Sequence, residues 1–158
     1  MIPKSPDGMR RAVFAGSFNP ITLGHMSVLQ RGLELFDHVT VVIGINDSKP
    51  DAEADTARRV AEVEAAVAGL KRVDVMAWNG LTADAAKKCG ARWLLRGVRS
   101  VADFEYERNM ADVNRMISDL ETVILFAEPQ LAAVSSSVVR ELKHYGYDTG
   151  RFLPPTNK

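Results

Sequence analysis

The sequence predicts an α/β chain: one domain, doubly wound around a five-stranded parallel sheet. Three observations predict it. Apolar strand-like runs alternate with helical patterns five times along 158 residues, and parallel strands need such crossovers. The run HVTVVIGI, residues 38–45, is mostly β-branched, as in a strand buried on both faces. The stretch AVFAGSFNPITLGH, residues 12–25, joins a strand to a helix through a glycine-bearing loop. That junction aims free backbone N–H groups and a positive helix end at one point, which suits an anion.

The elements follow in order. The first strand is expected at residues 11–15, and the first helix begins near Gly24 and His25. Its apolar stripe is Met26, Leu29, Leu33 and Phe36, at helical spacing. The second strand is the run at 38–45, closed by the polar loop NDSKP. Residues 51–68 then form a helix with a charged outer face and Val60, Val63 and Val67 within. A third strand spans 72–78 and a short helix 81–89, with Gly90 placed for a left-handed helix end. The fourth strand spans 91–96, and residues 97–100 turn the chain into a helix over 102–118. Ser100 and Asp103 there have capping-box spacing. The fifth strand spans 121–127, and Ser135, Ser136 and Ser137 open a last helix that ends near Tyr145, before Gly146.

Composition narrows the possibilities. Lys plus Arg number 20 and Asp plus Glu number 20. A net charge of zero argues against general nucleic-acid or membrane-surface binding, so neither is expected as a partner. The single cysteine, Cys89, rules out an internal disulfide and fits a cytoplasmic location. No run approaches the ~20 apolar residues of a membrane span. Residues 1–9 are polar, with two prolines. They read as a disordered N-terminal tail, and residues 10–158 as the domain.

In a parallel sheet, ligands bind at the carboxyl ends of the strands, where strand order reverses. The polar residues gather there. The first loop brings Ser17, Thr22 and His25; the second brings Lys49; the fourth brings Arg96 and Arg99 around Gly97; the fifth brings Ser135, Ser136 and Ser137. Each alone reads blandly: a solvated lysine, surface ion-pair partners, a helix cap. Together they make three cations, hydroxyls, an imidazole and helix N-termini on one edge, a polyphosphate site. The chain has no G-x-x-x-x-G-K-[ST] and no G-x-G-x-x-G after the first strand, which excludes a Walker-type site and argues against a nicotinamide dinucleotide fold. His25 lacks partners at metal-ligand spacing, so no residue is expected to ligate a metal.

The segment GSFNPITLGH, with Thr22-Leu23-Gly24-His25 in T-x-G-H form, resembles the nucleotidyltransferase signature. With RGVRSVADFEYERNMADVNR (96–115) and VSSSVVRE (134–141), the chain is similar to bacterial phosphopantetheine adenylyltransferases from about residue 11 to 154. The resemblance implies a Rossmann-like nucleotidyltransferase fold, ATP and 4′-phosphopantetheine as substrates, Mg²⁺ as cofactor, and a homo-oligomer, usually a hexamer. It implies that Ser17 and Phe18 contact nucleotide and the acceptor phosphate, that His25 stabilises the transition state, and that Lys49 and Arg96 hold phosphopantetheine. It further assigns Gly97, Val98, Arg99, Glu107, Leu131 and Ser135 to Ser137 to ATP, and Leu81 and Thr82 to the pantetheine arm. The catalytic set is then His25, Lys49 and Arg99. Three departures stand out: Asn19 replaces the family's usual aspartate, residues 51–59 lack its phenylalanine and glutamate–arginine pair, and Leu131 occupies a position often aromatic. The alternatives are a nicotinate or nicotinamide mononucleotide adenylyltransferase, or an inactive nucleotide-binding relative.

Overall fold

The computed structural model describes residues 5–155. Five strands alternate with five helices: β1 (Arg11–Gly16), α1 (Leu23–Leu35), β2 (His38–Gly44), α2 (Ala52–Val67), β3 (Val73–Trp78), α3 (Thr82–Lys88), β4 (Trp93–Val98), α4 (Val101–Ser118), β5 (Glu121–Phe126) and α5 (Ser136–His144). The sheet order is β3-β2-β1-β4-β5, with every neighbouring pair parallel. The chain builds outward from β1 through β2 to β3, then returns to β4 on β1's other side. The order therefore reverses between β1 and β4, and the two crossovers that follow cover the opposite face.

The period of two along β1 divides the core. Phe14 points into a cluster with Met26, Leu29 and Leu33 of α1 and Val63 and Val67 of α2. Val13 and Ala15 point the other way, onto Ala85 and Ala86 of α3. Leu29, Val13 and Val39 are 0% exposed, and burying each such side chain is worth about 1.5–3 kcal/mol.

Two glycines let α1 sit close on β4. A Cβ on Gly32 would lie 2.4 Å from Leu95 Cδ2, and one on Gly97 would lie 2.7 Å from Val28 Cγ2. This corrects one boundary. The fourth strand does not stop at Arg96. It continues through Gly97 and Val98, which pair with Leu125 and Phe126; Gly97 is a packing glycine within a strand, and the turn begins at Arg99.

The expected tail at 1–9 falls partly outside the described residues, at 1–4. Residues 5–9 form a turn: Gly8 N–H donates to Ser5 C=O at 2.8 Å, Ser5 Oγ donates to Asp7 at 2.7 Å, and Asp7 pairs with Arg11 at 2.5 Å. Among the described residues, no helix is long and apolar enough to cross a membrane.

Candidate active site

At the carboxyl end of β1 the chain runs through Ser17–Ile21 to Thr22, the N-cap of α1. His25 N–H donates to Thr22 Oγ1 at 3.4 Å, and Thr22 N–H donates to His25 Nδ1 at 3.0 Å. This is a capping box with histidine in the place glutamate or glutamine usually holds. It also fixes the imidazole. With Nδ1 accepting, the neutral ring carries its proton on Nε2, where it can donate to a ligand. Burial, then Arg96 and Arg99, hold the His25 pKa at about 4 rather than the ordinary 6.5. The ring edges are braced by Phe18, 5.0 Å between centroids, and by Phe14 at 6.3 Å.

His25 forms one wall of a cleft of about 280 Å³ that also holds Ser17, Gly97, Val98, Arg99, Leu131, Ser135, Ser136 and Ser137. Arg99 is loosely tethered there. Its guanidinium lies 3.6 Å from Asp103, with both side chains more than a third exposed. Ser135 caps α5 by accepting from Val138 N–H at 3.2 Å, and Ser136 Oγ donates to Pro20 C=O at 2.7 Å. Two helix N-termini, of α1 and α5, and the Arg99 guanidinium thus face one volume, an arrangement that attracts polyphosphate. A larger hollow of about 380 Å³ lies at the opposite end of the strands, beside Lys87, Ser118 and Asp119. Those residues end α3 and α4, and helix C-termini repel anions.

Other expected site residues have surroundings of their own. Phe18 is 1% exposed, so its side chain supports His25 and cannot reach a ligand; its backbone holds φ 46°, sparsely populated for a non-glycine residue. Arg96 does not stand free in the cleft. Its Nε donates to both Glu107 oxygens at 3.0 and 2.9 Å, its Nη2 to Oε1 at 2.5 Å, and its Nη1 to Ala15 C=O. Glu107, 6% exposed, is accordingly the buried partner of Arg96 and does not line the cleft. Lys49 is exposed in the β2–α2 loop, and Leu81 and Thr82 begin α3 after β3. These three share the carboxyl rim but lie beyond β1, outside the cleft lining.

Two residues escaped the sequence reading. Arg140 lines the cleft, donating to Asn19 C=O at 2.6 Å; its signal was its place one turn after Ser136. Arg59, expected on a charged outer face, is 4% exposed; its signal was the four-residue step to Val63 and Val67. The described residues contain no group of three or more His, Cys, Asp or Glu able to hold a metal, and no carboxylate lines the cleft.

Residues 13–142 match the cytidylyltransferase-like family. The chain is 46% identical to the phosphopantetheine adenylyltransferase of Phocaeicola vulgatus, over 92% of this chain and 96% of that one. It is 45% identical to the phosphopantetheine adenylyltransferase of Limosilactobacillus fermentum, over 92% and 84%. The solved bifunctional NMN adenylyltransferase/ADP ribose pyrophosphatase of Francisella tularensis superposes with a TM-score of 0.68 at 15% identity. That match covers 94% of this chain and 46% of the solved one, and it speaks for the fold alone. The chain belongs to the cytidylyltransferase-like nucleotidyltransferases and, within them, to the phosphopantetheine adenylyltransferases.

Proposed function

We propose that this enzyme transfers AMP from ATP to 4′-phosphopantetheine, giving dephospho-coenzyme A and pyrophosphate, in the cytoplasm. The observation that carries the reading is the cleft at the β1/β4 reversal, where His25, Arg99 and the start of α5 meet. A phosphate oxygen of the acceptor attacks the α-phosphorus of ATP in line, and the bond to the bridging oxygen of pyrophosphate breaks. The nucleophile is already an anion, so no strong base is required. The barrier is mutual repulsion, which positioned donors reduce.

His25 Nε2–H donates to the α-phosphate as charge accumulates there. Arg99, Arg140 and the amides that begin α5 receive the β- and γ-phosphates. Ser17 lies between the two reactants. Lys49 and Arg96 hold the acceptor phosphate, with Arg96 released in part from Glu107 as the anion arrives, and Leu81 and Thr82 flank the pantetheine arm. Gly97, Val98 and Leu131 border the nucleoside. With no carboxylate in the cleft, the donor set fits Mg²⁺ delivered on the phosphates of ATP and not held by side chains.

The enzyme is also proposed to assemble as a homo-oligomer, a hexamer by family resemblance. Support comes from α4, whose Met110, Val113, Met116 and Ile117 share one side of the helix and are 37–85% exposed. Monomers rarely leave a contiguous apolar face of this kind uncovered. Light scattering measures the mass directly.

Pyrophosphate release from ATP tests the activity, with 4′-phosphopantetheine, nicotinate mononucleotide and nicotinamide mononucleotide offered in turn. Release with phosphopantetheine alone is the expected result. Release with a mononucleotide only overturns the acceptor, and tight ATP binding without release overturns the enzyme.

A further inference from the structure

The last register pair between β1 and β2 is Gly16 with Ile43. Beyond it the strands diverge, and the carbonyls of Ser17 and Gly44 leave the ladder. One buried nitrogen takes both: Arg59 Nη1 donates to Ser17 C=O at 2.7 Å and to Gly44 C=O at 2.9 Å. Asp55, one turn earlier on α2, fixes the same guanidinium through Nε at 2.9 Å. Only 5% of the Arg59 side chain is exposed, and its charge is matched by Asp55. It does not line the cleft, so it offers a ligand no contact.

The neighbouring carbonyls of the loop are held in the same way. Arg140 donates to Asn19 C=O and Ser136 to Pro20 C=O, while Arg58 donates to Asn19 Oδ1 at 2.8 Å. Helices α2 and α5 therefore secure the carbonyl oxygens of Ser17, Asn19 and Pro20 and the side-chain oxygen of Asn19. Among the described residues, the Phe18 and Asn19 N–H groups have no acceptor within the chain. In an anion site this sorting matters, because a carbonyl turned toward phosphate repels it and an N–H attracts it.

We infer that Arg59 is a positioning residue for adenylyl transfer: it bridges the diverging ends of β1 and β2 and so sets the loop from Ser17 to Pro20 against the reacting phosphates. Lysine cannot replace it. An ammonium group lacks the planar fork that reaches two carbonyls and a carboxylate together. The inference rests on the proposed reaction, and it predicts an effect on turnover separable from stability.

Arg59→Ala and Arg59→Lys are to be compared with wild type in the full chain, by pyrophosphate release with ATP and 4′-phosphopantetheine and by thermal unfolding. A displacement of the loop by about 1 Å costs up to ~10²-fold in rate. Both variants should lose at least ~10-fold in kcat while KM for ATP moves less than ~3-fold. Guanidinium at about 20 mM should restore part of the kcat of Arg59→Ala, as the vacated site is lined for it, and none of that of His25→Ala. A folded Arg59→Lys with wild-type kcat overturns the inference, as does a folded Arg59→Ala that guanidinium does not rescue. If Arg59→Ala fails to fold, the kcat of folded Arg59→Lys decides. If neither folds, Arg59 serves stability alone and the inference fails. A wild type that releases no pyrophosphate defeats the proposed reaction; an active wild type beside unaffected Arg59 variants defeats this inference only.

Discussion

Lowering the pH should destabilise the enzyme through His25, by an amount the structure sets. In the unfolded chain His25 titrates at its ordinary 6.5; in the fold it titrates at about 4. Between those values the unfolded state binds more protons, so stability is retained above 6.5 and declines as pH falls toward 4. The whole window corresponds to about 3 kcal/mol, of which about 2 kcal/mol is lost by pH 5. This is an upper figure, since the ring edge carrying Nε2 opens on the cleft and solvent screens part of the shift. For a domain of this size, about 2 kcal/mol moves Tm by roughly 4–8 °C. His25→Gln is the control. It does not titrate, and its amide oxygen can accept from Thr22 N–H as glutamine does in an ordinary capping box. The measurement is Tm and urea unfolding of both proteins from pH 7.5 to 5, with the His25 ring followed by NMR. Wild type should lose roughly 4–8 °C more than His25→Gln. Parallel pH dependences, or a His25 titration near 6.5, would refute the argument that burial against Phe14 and Phe18 keeps the ring neutral.

Other outcomes follow from the same structure. His25→Ala should fold and lose ~10²–10³ in kcat, measured by pyrophosphate release; near wild-type turnover would remove His25 from the mechanism. Gly97→Ala places a methyl group 2.7 Å from Val28 Cγ2 and should cost about 1–3 kcal/mol in urea unfolding. Val28→Ala in the same chain should recover part of that loss, as a double-mutant cycle would show. Glu107→Ala leaves Arg96 without its carboxylate and should destabilise by about 3 kcal/mol; no change in unfolding free energy would mean that Arg96 finds solvent at no cost. Lys49→Ala should raise KM for 4′-phosphopantetheine and leave ATP binding, read by calorimetry, unchanged. A loss confined to ATP would exchange the two sub-sites.

What the sequence disclosed and what it withheld divide along the range of the interactions. The strands at 11–16 and 38–44 were legible because both faces are buried and their central positions are apolar or β-branched. Helix α1 was legible because Met26, Leu29 and Leu33 repeat with its turn and Thr22 caps it. The loops were assignable to one rim because all the strands run parallel. By contrast, Gly97 looked like a turn residue because the reason for a glycine there is Val28, on another element. Phe18 looked available to a ligand because nothing in its neighbourhood announces that Phe14 and His25 enclose it. Arg96 and Glu107 are only 11 positions apart, yet their pairing depends on how α4 returns along β4. Charged residues were the least legible. Their sign can be read from sequence, but not whether a partner has already neutralised them.

That last point decides how a protein of zero net charge holds a polyanion. Two arginines are committed inside the protein: the buried Arg59 to Asp55 and two carbonyls, and the half-buried Arg96 to Glu107 and Ala15 C=O. Each guanidinium has a carboxylate beside it that offsets part of its charge, and each also holds backbone oxygen in place. Arg99, by contrast, keeps a partly exposed guanidinium, with Asp103 no nearer than 3.6 Å, and Arg140 reaches the cleft from an exposed helical turn. The attraction for the phosphates of ATP then comes from these two cations and from two helix ends, over distances that solvent screens only partly. Raising the number of basic residues would not build such a site. It is built by tying arginines to backbone and carboxylate while Arg99, Arg140 and the amides beside them face the same cleft.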